Sequence, residues 1–221
     1  MSNRPLLAST SLALMLLGAL TAGPGLAKQT ARPSSTTVTL DDVRVCKGLS
    51  GSSPQEQIPA CTKIINSGKI HHPHEGDYYA TRGAAYYTSK QYYAALADYS
   101  KALTFEQKPE FYFQRALVLL AKNQIDKAKA DLAEVARIKP YFPPTYFIRG
   151  LIYYHAADYK NALDDFNAAV QRNPSYYQAI FARGAAKSRL GDNSGSEDDL
   201  KQARGMRAHL DDDMQKLGVV P

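Results

Sequence analysis

An Arg-Gly or Arg-Ala step recurs in register along the chain, at Arg82-Gly83, Arg115-Ala116, Arg149-Gly150 and Arg183-Gly184. The interval is nearly constant. Self-similarity at such a period restricts the fold severely, because each unit must be one supersecondary element that packs on copies of itself. The segments around the steps align: YYATRGAAYY from Tyr78, YFQRALVLL from Tyr112, YFIRGLIYY from Tyr146 and AIFARGAAKS from Ala179. Each is followed by a second segment, YAALADYSKAL from Tyr93, DKAKADLAEVA from Asp126, KNALDDFNAAV from Lys160 and SEDDLKQARGM from Ser196. Apolar residues recur at helical spacing in both, so the unit is a pair of amphipathic helices and the chain is all-α. No single pair can bury its apolar face, so the units must stack.

A period of about 34 residues built from two helices resembles the tetratricopeptide-repeat (TPR) family. The third unit carries that family's pattern of large and small residues at Tyr146, Gly150, Tyr153, Ala162, Phe166, Ala169 and Pro174. The first gives Tyr79, Gly83, Tyr86, Ala95, Tyr99 and Ala102, and the second Tyr112, Ala116, Leu119, Ala128, Leu132, Val135 and Pro140. The fourth degenerates to Ile180, Gly184, Lys187, Ser196, Leu200 and Ala203, as a terminal repeat does. The resemblance implies a superhelical stack of antiparallel helix pairs. Four repeats would be flanked by a divergent N-terminal pair and a C-terminal capping helix over AHLDDDMQKLGVVP, with Gly218 as its stop. The order of segments resembles signal-peptide-bearing TPR proteins of alpha-proteobacteria.

The beginning of the chain reads as processing signal. Arg4 precedes an unbroken run without charge from Leu6 to Leu20, mostly apolar, then Pro24-Gly25 and the small residues before Lys28. That is the layout of a cleavable secretory signal cut after Ala27. The run is shorter than the roughly 20 residues a spanning helix needs, although an uncleaved anchor stays open as the alternative. The expected organisation is a signal peptide over residues 1–27, a polar tether over 28–40, the divergent pair over 41–75 and the repeat domain with its capping helix over 76–221. The protein is expected in the periplasm or outside the cell.

Within the divergent pair, Ser53-Pro54-Gln55-Glu56 has the form of a capping box with Pro at the first helical position. Ser194 and Glu197 suggest a second box near the other end. The only two cysteines, Cys46 and Cys61, are close in sequence. In an exported chain such a pair reads as a disulfide stapling the divergent pair, two free thiols being the alternative.

The net charge of +6 is modest and scattered, with Lys127, Asp131 and Glu134 on one helix; no basic run of the nucleic-acid-binding kind occurs. Chemistry-bearing motifs are equally sparse: there is no phosphate-binding glycine loop, no HExxH and no GxSxG, so no catalytic residue, cofactor or enzymatic activity is expected. His71-His72-Pro73-His74-Glu75 is the best metal candidate. No remote ligand accompanies it, and a structural site wants four, so no metal is expected. An Arg in every first helix is followed, at one constant spacing, by an Asp in the second: Arg82/Asp98, Arg115/Asp131, Arg149/Asp165 and Arg183/Asp199. A hairpin would bring each couple together, as a structural latch or, less simply, as a repeated anion site.

In TPR stacks the first helices line the concave surface. Carried onto this chain, the resemblance places there Ala80, Ala84 and Tyr87, then Phe113, Gln114, Leu117 and Leu120. Phe147, Ile148, Leu151 and Tyr154 follow, and Phe181, Ala185, Ser188 and Arg189 complete the set. The Lys and Asn with which chaperone-binding relatives hold a terminal carboxylate are absent from these positions. What remains is an apolar, aromatic-rich channel, and an open channel of that kind implies a partner. The expected binding residues are Tyr87, Phe113, Leu117, Leu120, Phe147, Ile148, Leu151, Tyr154 and Phe181. An amphipathic helix or an extended apolar peptide would suit it. The chain's own terminal segment, a second copy, or a small molecule or glycan are the alternatives. The sequence therefore points to a non-enzymatic scaffold or adaptor binding a protein or peptide of the bacterial envelope. A structural part of an envelope secretion or polysaccharide-export complex is the second reading.

Overall fold

The computed structural model describes residues 37–49, 51–68 and 75–221. The expected signal peptide, most of the tether, and His71, His72, Pro73 and His74 lie outside the described residues. Eleven helices and no strand are formed among the described residues. The divergent pair is α1 (Leu40–Cys46) and α2 (Pro54–Asn66); the four repeats are α3 (Glu75–Thr88) with α4 (Tyr92–Phe105), α5 (Pro109–Ala121) with α6 (Ile125–Ile138), α7 (Pro143–His155) with α8 (Tyr159–Arg172), and α9 (Tyr177–Arg189) with α10 (Asn193–Met206). A short α11 (Leu210–Lys216) follows them. None of these helices is long and apolar enough to cross a membrane.

The caps explain where the helices begin. Thr39 and Asp42 form a reciprocal box, the Thr39 N–H donating to Asp42 Oδ2 at 2.7 Å and the Asp42 N–H to Thr39 Oγ1 at 3.1 Å. Helix α1 therefore starts at Leu40, inside what the sequence suggested was tether. Lys63 donates to the same Asp42 carboxylate at 2.8 Å, which holds its pKa down at about 2 and ties α1 to α2. Ser53 and Glu56 pair as expected, the Ser53 N–H and hydroxyl both donating to Glu56 Oε2 at 2.8 Å. The box expected at Ser194 is not the cap. Helix α10 starts at Asn193, two residues before a Ser194 cap would begin it, and Asp192 accepts from the Gly195 N–H at 2.9 Å. The nearer carboxylate wins because it reaches the free amides of the first turn, where an acceptor is worth most. Similarly, α3 opens at Glu75, one residue before the expected domain boundary.

Each repeat turns between its two helices through one left-handed residue, Lys90, Asn123, Ala157 and Gly191 in order, with φ between 56° and 86°. The N–H two residues beyond the first helix, and that of the next residue, bond back to carbonyls of its last turn: for example Asn123 to Leu120 at 2.9 Å and Gln124 to Leu119 at 2.8 Å. Such a turn satisfies the orphan carbonyls of the first helix and reverses the chain directly into the second.

Between the helices of a pair, small residues face large rings. Ala95, Ala102, Ala116, Ala128, Ala162 and Ala169 are fully buried, as are Leu132 and Phe166. A methyl built on Gly83 would lie 3.3 Å from the Tyr99 ring; one on Gly150 would lie 2.6 Å from Phe166 Cε1. The glycines are there for close approach. The disulfide between Cys46 and Cys61 is formed, with an S–S distance of 2.02 Å, and both cysteines are completely buried beside Ile64.

The Arg/Asp couples are latches in all four repeats. Each Arg presents Nε and Nη2 to the two carboxylate oxygens of its Asp, at 2.5–2.8 Å. The aspartates are nearly inaccessible, at 4–6 % exposure. This paired geometry is the strong form of the guanidinium–carboxylate contact. Arg82 Nη1 also reaches Thr62 of α2 at 2.9 Å, and Arg115 Nη1 reaches Ser100 of α4 at 3.2 Å. In the first two repeats the latch therefore joins successive pairs as well as the two helices of one pair.

Two outcomes follow for thermal or urea unfolding of variants. Arg149→Ala strands the buried Asp165 carboxylate and destabilises by about 3 kcal/mol, the low end for a broken buried pair because the guanidinium keeps some solvent contact. The double change with Asp165→Ala costs less; a larger loss in the double variant would refute the latch. Gly150→Ala forces a methyl against the immobile Phe166 ring and costs about 1–3 kcal/mol, whereas Gly83→Ala stays within about 1 kcal/mol because the better helix propensity offsets a looser contact.

Candidate protein-binding face

The first helices of the repeats lie side by side, α3 touching α5 and α7 touching α9. One face of this row repeats in register: Ala84, Leu117, Leu151 and Ala185 occupy one line of positions, and Tyr87, Leu120, Tyr154 and Ser188 the next. The sequence treats these lines as a single channel. The structure divides them.

The first half is open. Ala84 and Gln114 are exposed, and Tyr87, Phe113, Leu117, Leu120 and Ile148 are half-buried. These apolar side chains show solvent a broken strip running from α3 to α7. Burial pushes the Tyr87 hydroxyl above its ordinary pKa, so it is neutral at physiological pH.

The second half is core. Phe147, Leu151, Tyr154 and Phe181, all expected to bind a partner, are 5 %, 8 %, 6 % and 1 % exposed. They belong to one apolar cluster with Leu210 and Met214 of α11 and with Val219 beyond it. Helix α11 packs on α9 and α10, and the residues after it return to the end of α7, where Tyr154 Oη donates to the Val220 carbonyl at 2.7 Å. The four residues therefore present no open surface: Phe147 is closed in by the Phe166 and Tyr176 rings, and the residues after α11 reach Tyr154.

At the boundary of the two halves lies a cleft of about 130 Å³. The contact of α6 with α7 is the sparsest between successive pairs, which leaves the space. Its walls are Phe113, Val135 and Phe142, the two rings meeting edge-on with centroids 5.2 Å apart. Its rim is polar: Glu110 accepts from Lys139 Nζ at 2.9 Å, and Gln114 stands beside it. The Lys139 hydrogen bond holds the Glu110 carboxyl below its usual range, so the rim is a closed ion pair at neutral pH. One repeat later the equivalent ring pair is Phe147 with Tyr176, centroids 5.1 Å apart, and burial pushes the Tyr176 hydroxyl up to about 12. There Glu110, Lys139 and Gln114 are replaced by Pro144, Asn173 and Ile148.

Sequence reasoning missed Val135, Lys139 and Phe142 because they lie outside the first helices. The signal was nevertheless present, since Phe113 with Phe142 and Phe147 with Tyr176 share one spacing along the chain. As chemistry, the cleft offers apolar walls and one ion pair. A cavity of about 150 Å³ holds a benzene ring, so this one suits a single large side chain rather than a cofactor. Among the described residues, no three of His, Cys, Asp and Glu are grouped to hold a metal.

Comparison with known proteins fits this architecture. Residues 109–142 and 143–176 each match models of the tetratricopeptide repeat, and these spans are the α5–α6 and α7–α8 units. The chain is a TPR protein. Human tetratricopeptide repeat protein 13 is 27 % identical over 125 residues, which are 56 % of this chain and 14 % of that protein. The small glutamine-rich tetratricopeptide repeat-containing protein 2 of Mycosarcoma maydis is 26 % identical over 125 residues, 56 % of this chain and 35 % of that protein. The chain thus matches only a minor part of the length of these relatives. Among solved structures, MamA from Desulfovibrio magneticus superposes with a TM-score of 0.65 at 17 % identity, covering 77 % of this chain and 97 % of that one. YrrB, a TPR protein with an unusual peptide-binding site, gives 0.62 at 15 % identity over 80 % of this chain and 90 % of that one. The fold is shared with these TPR structures.

The division of the face has a direct consequence. Leu117→Lys, on the open half, lets the ammonium reach water and changes stability by about 1 kcal/mol or less. Leu151→Lys, its equivalent one repeat on, buries the charge in the cluster and costs about 3 kcal/mol or more. Equal losses in urea unfolding would show that the halves do not differ.

Proposed function

We propose that this chain is a non-enzymatic scaffold of the bacterial cell envelope that docks a protein segment on the open half of its first-helix face. The carrying observation is the apolar strip of Tyr87, Phe113, Leu117, Leu120 and Ile148, which ends at the Phe113/Phe142 cleft. A partner would seat one large apolar side chain in the cleft and lay the rest of an amphipathic helix or extended segment along the strip. The Glu110–Lys139 pair and Gln114 at the rim would orient it.

The envelope location is supported by two separate features. The run from Leu6 to Leu20 has the composition of an export signal, and the buried Cys46–Cys61 disulfide belongs to oxidising compartments. A partner held by a TPR stack is also in keeping with the similarity to YrrB, which has a peptide-binding site.

The test is site-directed photocrosslinking in the native host. A photoreactive residue at Leu117 or Leu120 should trap one defined envelope protein, while the same residue at Tyr93, exposed on the second helix of its repeat, should not. Phe113→Lys, confirmed as folded by circular dichroism, should reduce the adduct at least tenfold. Adducts of equal yield from Leu117 and Tyr93, or an adduct indifferent to Phe113→Lys, would sink the reading.

A further inference from the structure

Helix α1, at the start of the row of first helices, is the least secured of them. It is seven residues long, and a helix of that length does not hold its shape alone in water. Of its side chains only Cys46 is buried. Leu40 is 84 % exposed, and Val43 and Val45 are half-buried. The Asp42 carboxylate accepts from the N–H and the hydroxyl of Thr39, which belong to the cap of the same helix. Its bond outward, from Lys63, keeps water contact, the Asp42 and Lys63 side chains being 18 % and 33 % exposed, and such a pair adds little. Helix α1 packs on α2 and only marginally on α3.

Helix α2 is anchored differently. It begins at its own cap, Ser53 with Glu56. Tyr78 of α3 packs against its buried Cys61 and Ile64, and its Thr62 hydroxyl accepts from Arg82 Nη1, part of the first latch, at 2.9 Å. The Cys46–Cys61 bond thus ties a helix that the stack scarcely holds to one that it holds firmly. Closing a loop of about 15 residues favours the docked arrangement by about a hundredfold. The half-buried valines and the Asp42–Lys63 pair supply the rest.

We propose that α1 is a redox-controlled cover on α2: docked while Cys46–Cys61 is formed, and released when a dithiol reduces that bond, with α2 and the four repeats remaining folded. One thiolate of the dithiol attacks a cystine sulfur, and the other protein sulfur leaves as a thiolate. The second reductant thiolate then attacks the mixed disulfide and frees the remaining cysteine. The protein gains two thiols, and the dithiol is oxidised to its own disulfide. Both cysteines are completely buried, so attack waits for α1 to lift locally, and reduction traps the lifted state. Release bares Cys61 and Ile64 and the side of Tyr78 that packs on them. This device does not depend on a partner docking on the open strip, and the two fail separately.

The experiment treats the oxidised full chain with dithiothreitol in the absence of denaturant. Thiol alkylation counts the reduced chains, and hydrogen–deuterium exchange is followed by mass spectrometry. The bond should be reduced under these conditions. The Lys47 amide, which donates to the Val43 carbonyl at 3.0 Å, and the other amides of α1 should then exchange about a hundredfold faster. The amides of α2 and of the four repeats should change by less than about threefold. Three results would each overturn the proposal: no reduction without denaturant, α1 as protected in the reduced chain as in the oxidised one, or loss of protection spreading through the repeats. A variant removes any dependence on the reductant. Cys46→Ala with Cys61→Ala should show the same fast exchange in α1 with or without dithiothreitol, and the same helical circular dichroism in the repeats. Protected α1 amides in that variant, or unfolded repeats, refute the cover as well.

Discussion

The paired bond between an arginine of the first helix and an aspartate of the second is the contact on which the stack depends. A buried carboxylate needs a partner that saturates both oxygens, and a guanidinium offers two N–H groups in that geometry. Repeating the bond in all four units sets the angle and register of every hairpin. Tyrosines from the preceding turn lie against three of the guanidiniums: Tyr79, Tyr112 and Tyr146 sit 5.5–5.8 Å from Arg82, Arg115 and Arg149. In the fourth repeat Ile180 occupies that place, and Lys187 adds a second cation to Asp199 at 2.9 Å. The substitution fits a terminal unit whose outer side meets a short helix rather than another repeat. Desolvating an ion pair contributes little net stability. Its value here is specificity, because an apolar contact tolerates a shifted register and this bond does not.

What could be read from the sequence was what recurs. The repeat period, the Arg/Asp spacing and the small residues opposite rings each appear several times, so noise in one unit is corrected by the others. The disulfide was legible for a different reason, since two cysteines allow one pairing. The left-handed turn residues were not legible, because Lys90, Asn123, Ala157 and Gly191 have almost nothing chemical in common. Only Asn and Gly favour that conformation intrinsically, and in the other two repeats the helix pair on either side imposes it. The cap at α10 was misplaced for a related reason: Asp192 and Ser194 are both good caps, and local chemistry alone does not choose between them.

The division of the first-helix face escaped the repeat logic for a deeper reason. Repetition predicts that equivalent positions have equivalent surroundings, and that holds only in the interior of a stack. Leu117 and Leu151 are chemically identical and one period apart, yet one is half-buried and the other is in the core. Leu151 belongs to the cluster that also takes in Leu210, Met214 and Val219, which lie in no repeat. End effects of this kind are intrinsic to solenoids, where a terminal unit must find a substitute for the neighbour it lacks. Here the substitute does more than cover the last pair, since it reaches past α9 to α7.

That reach alters how the open strip should be understood. A channel lined uniformly by leucine and aromatic residues would bind many apolar segments with little discrimination. Closing half of it shortens the accessible site to the stretch from Tyr87 to Ile148 and puts its end at the Phe113/Phe142 cleft, where the rim changes from apolar to charged. A segment docking there would be measured by three things: the size of one anchoring side chain, the polarity of the residues beside it, and the length that fits before the covered half begins. Discrimination of this sort arises as much from what the site refuses as from what it holds. In the proposed reading, the covered half would supply that refusal without any change to the repeats themselves.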